Sequence, residues 1–255
     1  MEFEIKEFEK PKLKDPILIE GLPGIGNVGK ITVDFMIDSV NAKKMMEIHS
    51  SHFPHSVFVN EDNLVDLPKI EVYYKKGKKR DFLFVSGDIQ PLDETSCHAF
   101  CETILDIFQK YDGKEIITLG GIGLPKIPKK PLVYCTANEK SIIKKYKSKD
   151  INNNIFGVVG PIIGVSGLLI GLASKRKIPA MILLAQTFGH PTYIGIRGAR
   201  ELLKVLKESL GLDLDIKSLD KEIESVEKEM EISSKTLSKL TKAMSAQQDK
   251  VSYIG

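Results

Sequence analysis

Residues 16–40, PILIEGLPGIGNVGKITVDFMIDSV, run from a short apolar stretch through a glycine-rich turn into a segment that can form a helix. Two phosphate-binding patterns overlap in the turn. Gly24, Gly26 and Gly29 spell G-x-G-x-x-G, the dinucleotide fingerprint, while Gly24, Gly29 and Lys30 supply most of a P-loop. Each pattern lacks its second half. The P-loop needs Ser or Thr after its lysine to hold magnesium, and here Ile31 stands there with Thr32 one residue late. The dinucleotide unit wants an acid at the end of the next strand, about twenty residues on. Glu47 has that spacing but lies in KKMMEIHS, a poor strand, and no later aspartate ends an apolar strand as a Walker-B partner would. The stretch is therefore read as a packing turn with no cofactor. Its glycines, Gly21, Gly24, Gly26 and Gly29, let a helix reverse closely against its strand.

Outward from this turn, apolar runs of strand length alternate with helical periods. PILIE (16–20), DFLFVSG (81–87), EIITLGG (115–121), IFGVVG (155–160) and IPAMILLAQ (178–186) have the form of buried strands. Between them, Cys97, Cys101, Ile104, Phe108 and Tyr111 fall on one helical stripe with Asp93 as N-cap. Asn138 can cap a second helix, EKSIIKKYK, and residues 197–210 make a third. The alternation predicts an α/β three-layer sandwich with a mostly parallel sheet, to which a hairpin around Gly77 adds antiparallel strands.

Composition narrows the class. The 255 residues are 42% hydrophobic and carry 37 basic against 34 acidic side chains, interspersed, so no broad field of one sign exists to attract nucleic acid. KKGKKR (75–80) reads as a solvated turn. Three cysteines are too few for a disulfide framework, which suits a reducing cytoplasm. MEFEIKEFEK alternates acid with hydrophobe and is expected to be an edge strand, not a signal peptide. The best membrane candidate, 156–173, holds five glycines and a proline, so no membrane span is expected.

Four glycine signals carry a resemblance. GLPGIGNVGK, VSGDIQPLD (85–93), TLGGIGLP (118–125) and GPIIGVSGLLIGLASKRKIPAMILLAQTFG (160–189), in this order, resemble the archaeal proteasome assembly chaperone family. The resemblance adds Gly120, Gly121, Gly160, Gly164 and Gly167 to the structural glycine turns. It implies a fold similar to the nucleoside phosphorylases without their catalytic residues, and homo-oligomers that assist 20S proteasome assembly by contacting α subunits. Some archaeal relatives have been labelled ATP-grasp ligases, a label these motifs do not support.

Other constellations have simpler readings. His49, His52 and His55 have the residue type of a zinc set, but Pro54 breaks any helix aligning them, and an extended strand would turn His52 away, so no metal is expected. Cys97, His98 and Cys101 contain a thiol–imidazole pair, yet both cysteines lie on the apolar stripe and His98 lies off it; inert thiols are expected. Ser166 fails the nucleophile-elbow pattern because Leu168 replaces its second glycine, leaving a helix cap. Asp88, Gln90 and Asp93 follow a strand where α/β crevices form. No catalytic residue emerges.

Beyond residues 1–211 the composition changes. Over 212–247, Ile216, Leu219, Ile223, Val226, Met230, Leu237, Leu240 and Met244 recur at steps of three and four among charged residues, with Ser233 filling one gap, the seam of a coiled-coil helix. Such a seam suits a second copy or a paralogous subunit; the alternative is a helix lying back on its own domain. Residues 248–255 form a polar and then apolar tail. Several proteasome activators and chaperones dock through a C-terminal hydrophobic-Tyr-X tripeptide whose carboxylate meets a lysine between α subunits. Here Tyr253, Ile254 and Gly255 match in part, the tyrosine falling one residue early. The reading is a non-enzymatic oligomeric chaperone. Its alternatives are a nucleotide- or small-molecule-binding enzyme using the Gly24–Gly29 loop, and an adaptor for a paralogous partner.

Overall fold

The computed structural model describes residues 3–221 and 223. In chain order the elements are β1 (Glu4–Glu7), β2 (Ile17–Glu20), α1 (Val28–Ser39), β3 (Lys43–His49), β4 (Phe58–Val59), β5 (Val65–Asp66), β6 (Ile70–Lys75), β7 (Phe82–Gly87), α2 (Glu94–Lys110), β8 (Glu115–Leu124), β9 (Val133–Ala137), α3 (Lys140–Lys145), β10 (Ile151–Asn152), α4 (Val165–Lys175), β11 (Ala180–Phe188) and α5 (Ile196–Leu210). Nine strands make one sheet in the order β1-β3-β6-β7-β2-β8-β11-β9-β10, and β4 and β5 form a separate ribbon.

The centre follows the expected logic. The apolar runs that become β7, β2, β8 and β11 pair in parallel, joined by helical crossovers. Ile17, Leu18 and Ile19 are buried, as a strand covered on both faces requires. One face carries α2 against α4 and the other α1 against α5. The α2 stripe buries Phe100, Cys101, Ile104 and Phe108, each large apolar side chain contributing about 1.5–3 kcal/mol. Asp93 caps α2 by accepting the Ser96 N–H at 2.9 Å.

The flanks correct the expected topology. The sheet is mixed rather than mostly parallel: along β1, β3, β6 and β7 each strand runs antiparallel to the next, and β9 returns antiparallel to β11. Two of these reversals come from short connections, since the turn at Gly77 and the connection after β8 bring the chain back without a crossover helix. KKMMEIHS proves to be a full strand. An irregularity between Lys44 and Met46 turns both Met45 and Met46 inward, which breaks the alternation that marks a strand in sequence. IFGVVG is a turn rather than a strand, with Phe156 fully exposed and Gly157 at φ 79°. Asn138 does not cap α3, which starts after Glu139. Its amide clamps the start of β11 instead, donating to the Ile178 carbonyl at 2.8 Å and accepting from the Ala180 N–H at 2.9 Å. The edge strand β1 carries Glu4, Lys6 and Glu7, charges that discourage further pairing.

The chain divides into two compact units, Met1–Leu214 and Asp215–Gly255. Gly211, left-handed at φ 65°, ends α5. In the second unit Leu219 and Ile223 lie in a helical stretch, whereas Val226, Met230, Leu237, Leu240, Met244 and the tail residues Tyr253, Ile254 and Gly255 fall outside the described residues. Among the described residues no helix is long and apolar enough to cross a membrane.

The glycine turn joins these layers by backbone contact. A β-carbon on Gly21 would lie 2.2 Å from the Gly29 carbonyl oxygen, and one on Gly29 would lie 2.4 Å from that of Leu119. Gly26 has φ 62° and Gly121 abuts the Ile25 carbonyl, while Gly24 has open space and an extended φ of −161°. Gly29→Ala should therefore destabilise the fold by about 2–3 kcal/mol and Gly24→Ala by less than about 0.5 kcal/mol, read as urea midpoints at unchanged slope. Equal effects at the two positions would refute this packing.

Candidate functional site

The carboxyl ends of β7, β2, β8 and β11 point one way, so the segments that follow them gather at one edge of the sheet, the usual ligand position in α/β folds. A crevice of about 430 Å³ opens there. Leu22, Pro23 and Ile25 wall one side, the Gly120–Gly123 backbone forms the floor, and Val158–Ile163 form the far side. Polar side chains are few.

The groups a nucleotide would use are engaged elsewhere. Lys30 pairs with Asp34 at 2.9 Å, and Asp34 also accepts a hydrogen bond from the Ser86 hydroxyl. The Thr32 hydroxyl is buried and donates to the Val28 carbonyl at 2.7 Å. Of the residues after β7, Gln90 bridges the two walls: its amide donates to the Pro23 carbonyl at 2.8 Å and accepts from Val165 N–H at 3.2 Å. Gln90 thus caps α4, the role sequence gave to Ser166. Gly164, at φ 95°, is the N-cap residue, and the Ser166 hydroxyl donates to the Leu119 carbonyl at 3.3 Å, tying α4 to β8. Asp88 accepts from the Lys69 N–H at 3.3 Å, and Asp93 is committed to α2. Gly167 lies against the Ile162 carbonyl and Gly120 against Leu184, but nothing lies within contact of a β-carbon at Gly160.

One group beside the crevice was not singled out in sequence. Glu20, the last residue of β2, is fully buried near the first turns of α2 and α4, with Cys97 and Ser166 as neighbours. Its Oε1 accepts the Leu22 N–H at 3.1 Å, while Oε2 has no hydrogen-bond partner. Burial pushes its pKa up to about 7, and the Ser166 hydroxyl and Leu22 N–H only partly offset that cost. The available signal was a carboxylate closing an otherwise apolar strand directly before glycine.

The remaining candidates do not converge on the crevice. His49 and His55 line a different hollow and His52 is exposed. Cys97 and Cys101 are buried and His98 is exposed; the shared thiol hydrogen bond and burial push Cys101 up. Cys135 is also buried, which raises its thiol to about 11.

Fold and crevice together define a three-layer, mixed α/β protein whose carboxyl-end crevice is walled by backbone and aliphatic side chains. The chain belongs to the PAC2 family, whose model matches residues 18–232. Its structure superposes on that of Pyrococcus furiosus PbaB, described as an archaeal proteasome activator, with a TM-score of 0.84 and 32% identity, covering 91% of this chain and 99% of the other. It shares the fold of PbaA from the same organism, described as an archaeal homolog of proteasome-assembly chaperone, at a TM-score of 0.76 and 24% identity over 99% and 100% of the two chains. An uncharacterised protein of Methanocaldococcus jannaschii is 31% identical over 186 residues, 73% of this chain and 70% of its own length. None of these four descriptions carries the ATP-grasp label.

Glu20 makes stability depend on pH. Its native pKa is raised, so the native state holds the proton more tightly than the unfolded chain, whose carboxyl has the ordinary value of 4.5. The resulting stabilisation is complete below pH 4.5 and is lost as pH rises to about 7, a difference of about 3 kcal/mol. Glu20→Gln should remove that slope from urea midpoints measured across the interval. A wild-type slope unchanged by the substitution would assign the effect to other groups.

Proposed function

We propose that this chain is a non-enzymatic, oligomeric chaperone or adaptor that assists 20S proteasome assembly by contacting α subunits. The observation that carries the reading is the 32% identity to PbaB, a proteasome activator by description, extending over 91% of this chain. The aliphatic and backbone character of the crevice supports a scaffold rather than a catalyst, as do the commitments of Lys30, Thr32, Gln90 and Asp93 to local contacts.

The proposal gives two roles to the C-terminal region. The seam of Leu219, Ile223, Val226, Met230, Leu237, Leu240 and Met244 pairs subunits, and the tripeptide Tyr253, Ile254 and Gly255 docks on α subunits. Avidity makes the second role workable, because several weak tails on one oligomer bind a ring together.

Co-sedimentation with assembled α rings tests the reading. The full chain should bind, deletion of residues 253–255 should weaken binding at least tenfold, and Leu237→Asp with Leu240→Asp should lower the particle mass in light scattering. Binding that survives the deletion unchanged would transfer docking to the α/β body. No binding by the intact chain would overturn the proteasome assignment.

A further inference from the structure

We propose that the β4–β5 ribbon, with the hollow at its base, is an interface for a second copy of this chain. The inference goes beyond the reading above, which places subunit pairing in the C-terminal seam.

The ribbon is apolar and faces water. Val57, Phe58, Val59, Leu64, Val65 and Leu67 are between 42% and 69% exposed. Phe58 pairs with Asp66 and Val59 with Val65, and the ribbon is not hydrogen-bonded into the main sheet. Its turn is nevertheless closely held. Asn60 N–H donates to the Leu64 carbonyl at 2.9 Å, and the Asn60 side chain accepts from the N–H groups of Asp62 and Leu64 and donates to Asp66. A two-stranded ribbon standing in water is marginal by itself, so one that presents its apolar side chains outward needs cover.

The geometry points to its own kind as that cover. Beside the ribbon lies a hollow of about 760 Å³ whose lining includes His49, Phe53, Pro54, His55, Val57 and Leu67. Val57 and Leu67 belong to both features, so a convex apolar arm and a concave seat of mixed lining, with Phe53, Pro54, Val57, Leu67 and Pro68 as its apolar part, are contiguous on one surface. An isologous two-fold contact requires this: each copy's arm enters the other's seat. The area is also sufficient. Side chains of this size and exposure present on the order of 100 Å² each, so six supply about 600 Å² per copy and a pair about 1,200 Å², where stable interfaces begin.

The test uses the full chain. Val59→Asp with Leu64→Asp lies at exposed positions and should leave the melting temperature nearly unchanged while halving the sedimentation mass, with at least tenfold weaker self-association. Independently, a tagged Val59→Cys chain mixed with an untagged Ser51→Cys chain should form a mixed cross-linked dimer with a short bis-maleimide. The native thiols, Cys97, Cys101 and Cys135, are buried and give little background. The cross-link should persist in chains carrying Leu237→Asp and Leu240→Asp, which separates this interface from the C-terminal seam. An unchanged mass, or no mixed cross-link, would overturn the proposal whatever else the ribbon binds, and would leave the proteasome reading untouched. Should the aspartate pair unfold the protein, the cross-link decides alone.

Discussion

The arrangement depends on how closely three stretches of backbone approach each other. The end of β2, the first turn of α1 and the middle of β8 meet at Gly21, Gly29 and Leu119, at separations that leave no room for a β-carbon. Gly26 extends the contact to the neighbouring helix of the same layer, since its carbonyl accepts the Gly195 N–H at 2.8 Å just before α5. Side chains at these points would lift α1 from the sheet, separating strands from the helices that cover them. The same approach narrows the carboxyl-end crevice, because the chain following β2 is drawn against the Gly121 backbone.

Two buried glutamates show how the sheet's ends differ. Glu115, at the amino end of β8, is met by Arg80 at 2.8 Å, by Lys145 at 2.5 Å and by the Tyr146 hydroxyl. Glu20, at the carboxyl end of β2, has one backbone N–H and an orphaned oxygen. The first is compensated by partners from two separate segments, the turn before β7 and the end of α3. The second relies on its proton, because an unpaired buried charge is among the costliest groups a protein can hold. Thr187, whose buried hydroxyl also lacks a partner, lies at the same end, against Gly26 and Gly195. Polar compensation is thus concentrated away from the crevice.

Much was legible locally. The β2, β7, β8 and β11 runs, the α2 stripe with its Asp93 cap, the turn at Gly77 and the edge strand β1 each follow from periodicity or turn chemistry within a few residues. The order of the glycine motifs also pointed to the family that the PAC2 match shows. Less legible were features whose partners are distant in sequence. β3 was obscured by the irregularity that turns Met45 and Met46 inward together, and Ser166 and Asn138 looked like caps until Leu119 and Ala180 came within reach. Phe156 looked like strand core, but the fold leaves it in water.

Sequence by itself determined which segments are strands and helices at the centre, because these depend on side-chain spacing; of the glycines it marked, Gly21 and Gly29 sit where a β-carbon has no room, whereas Gly24 and Gly160 have open space. Only the tertiary structure decided that the sheet is mixed, that Gln90 rather than Ser166 caps α4, and that Glu20 is buried without a partner for Oε2. Strand direction, long-range hydrogen bonds and desolvation arise from contacts between residues far apart in the chain, and no local pattern records them.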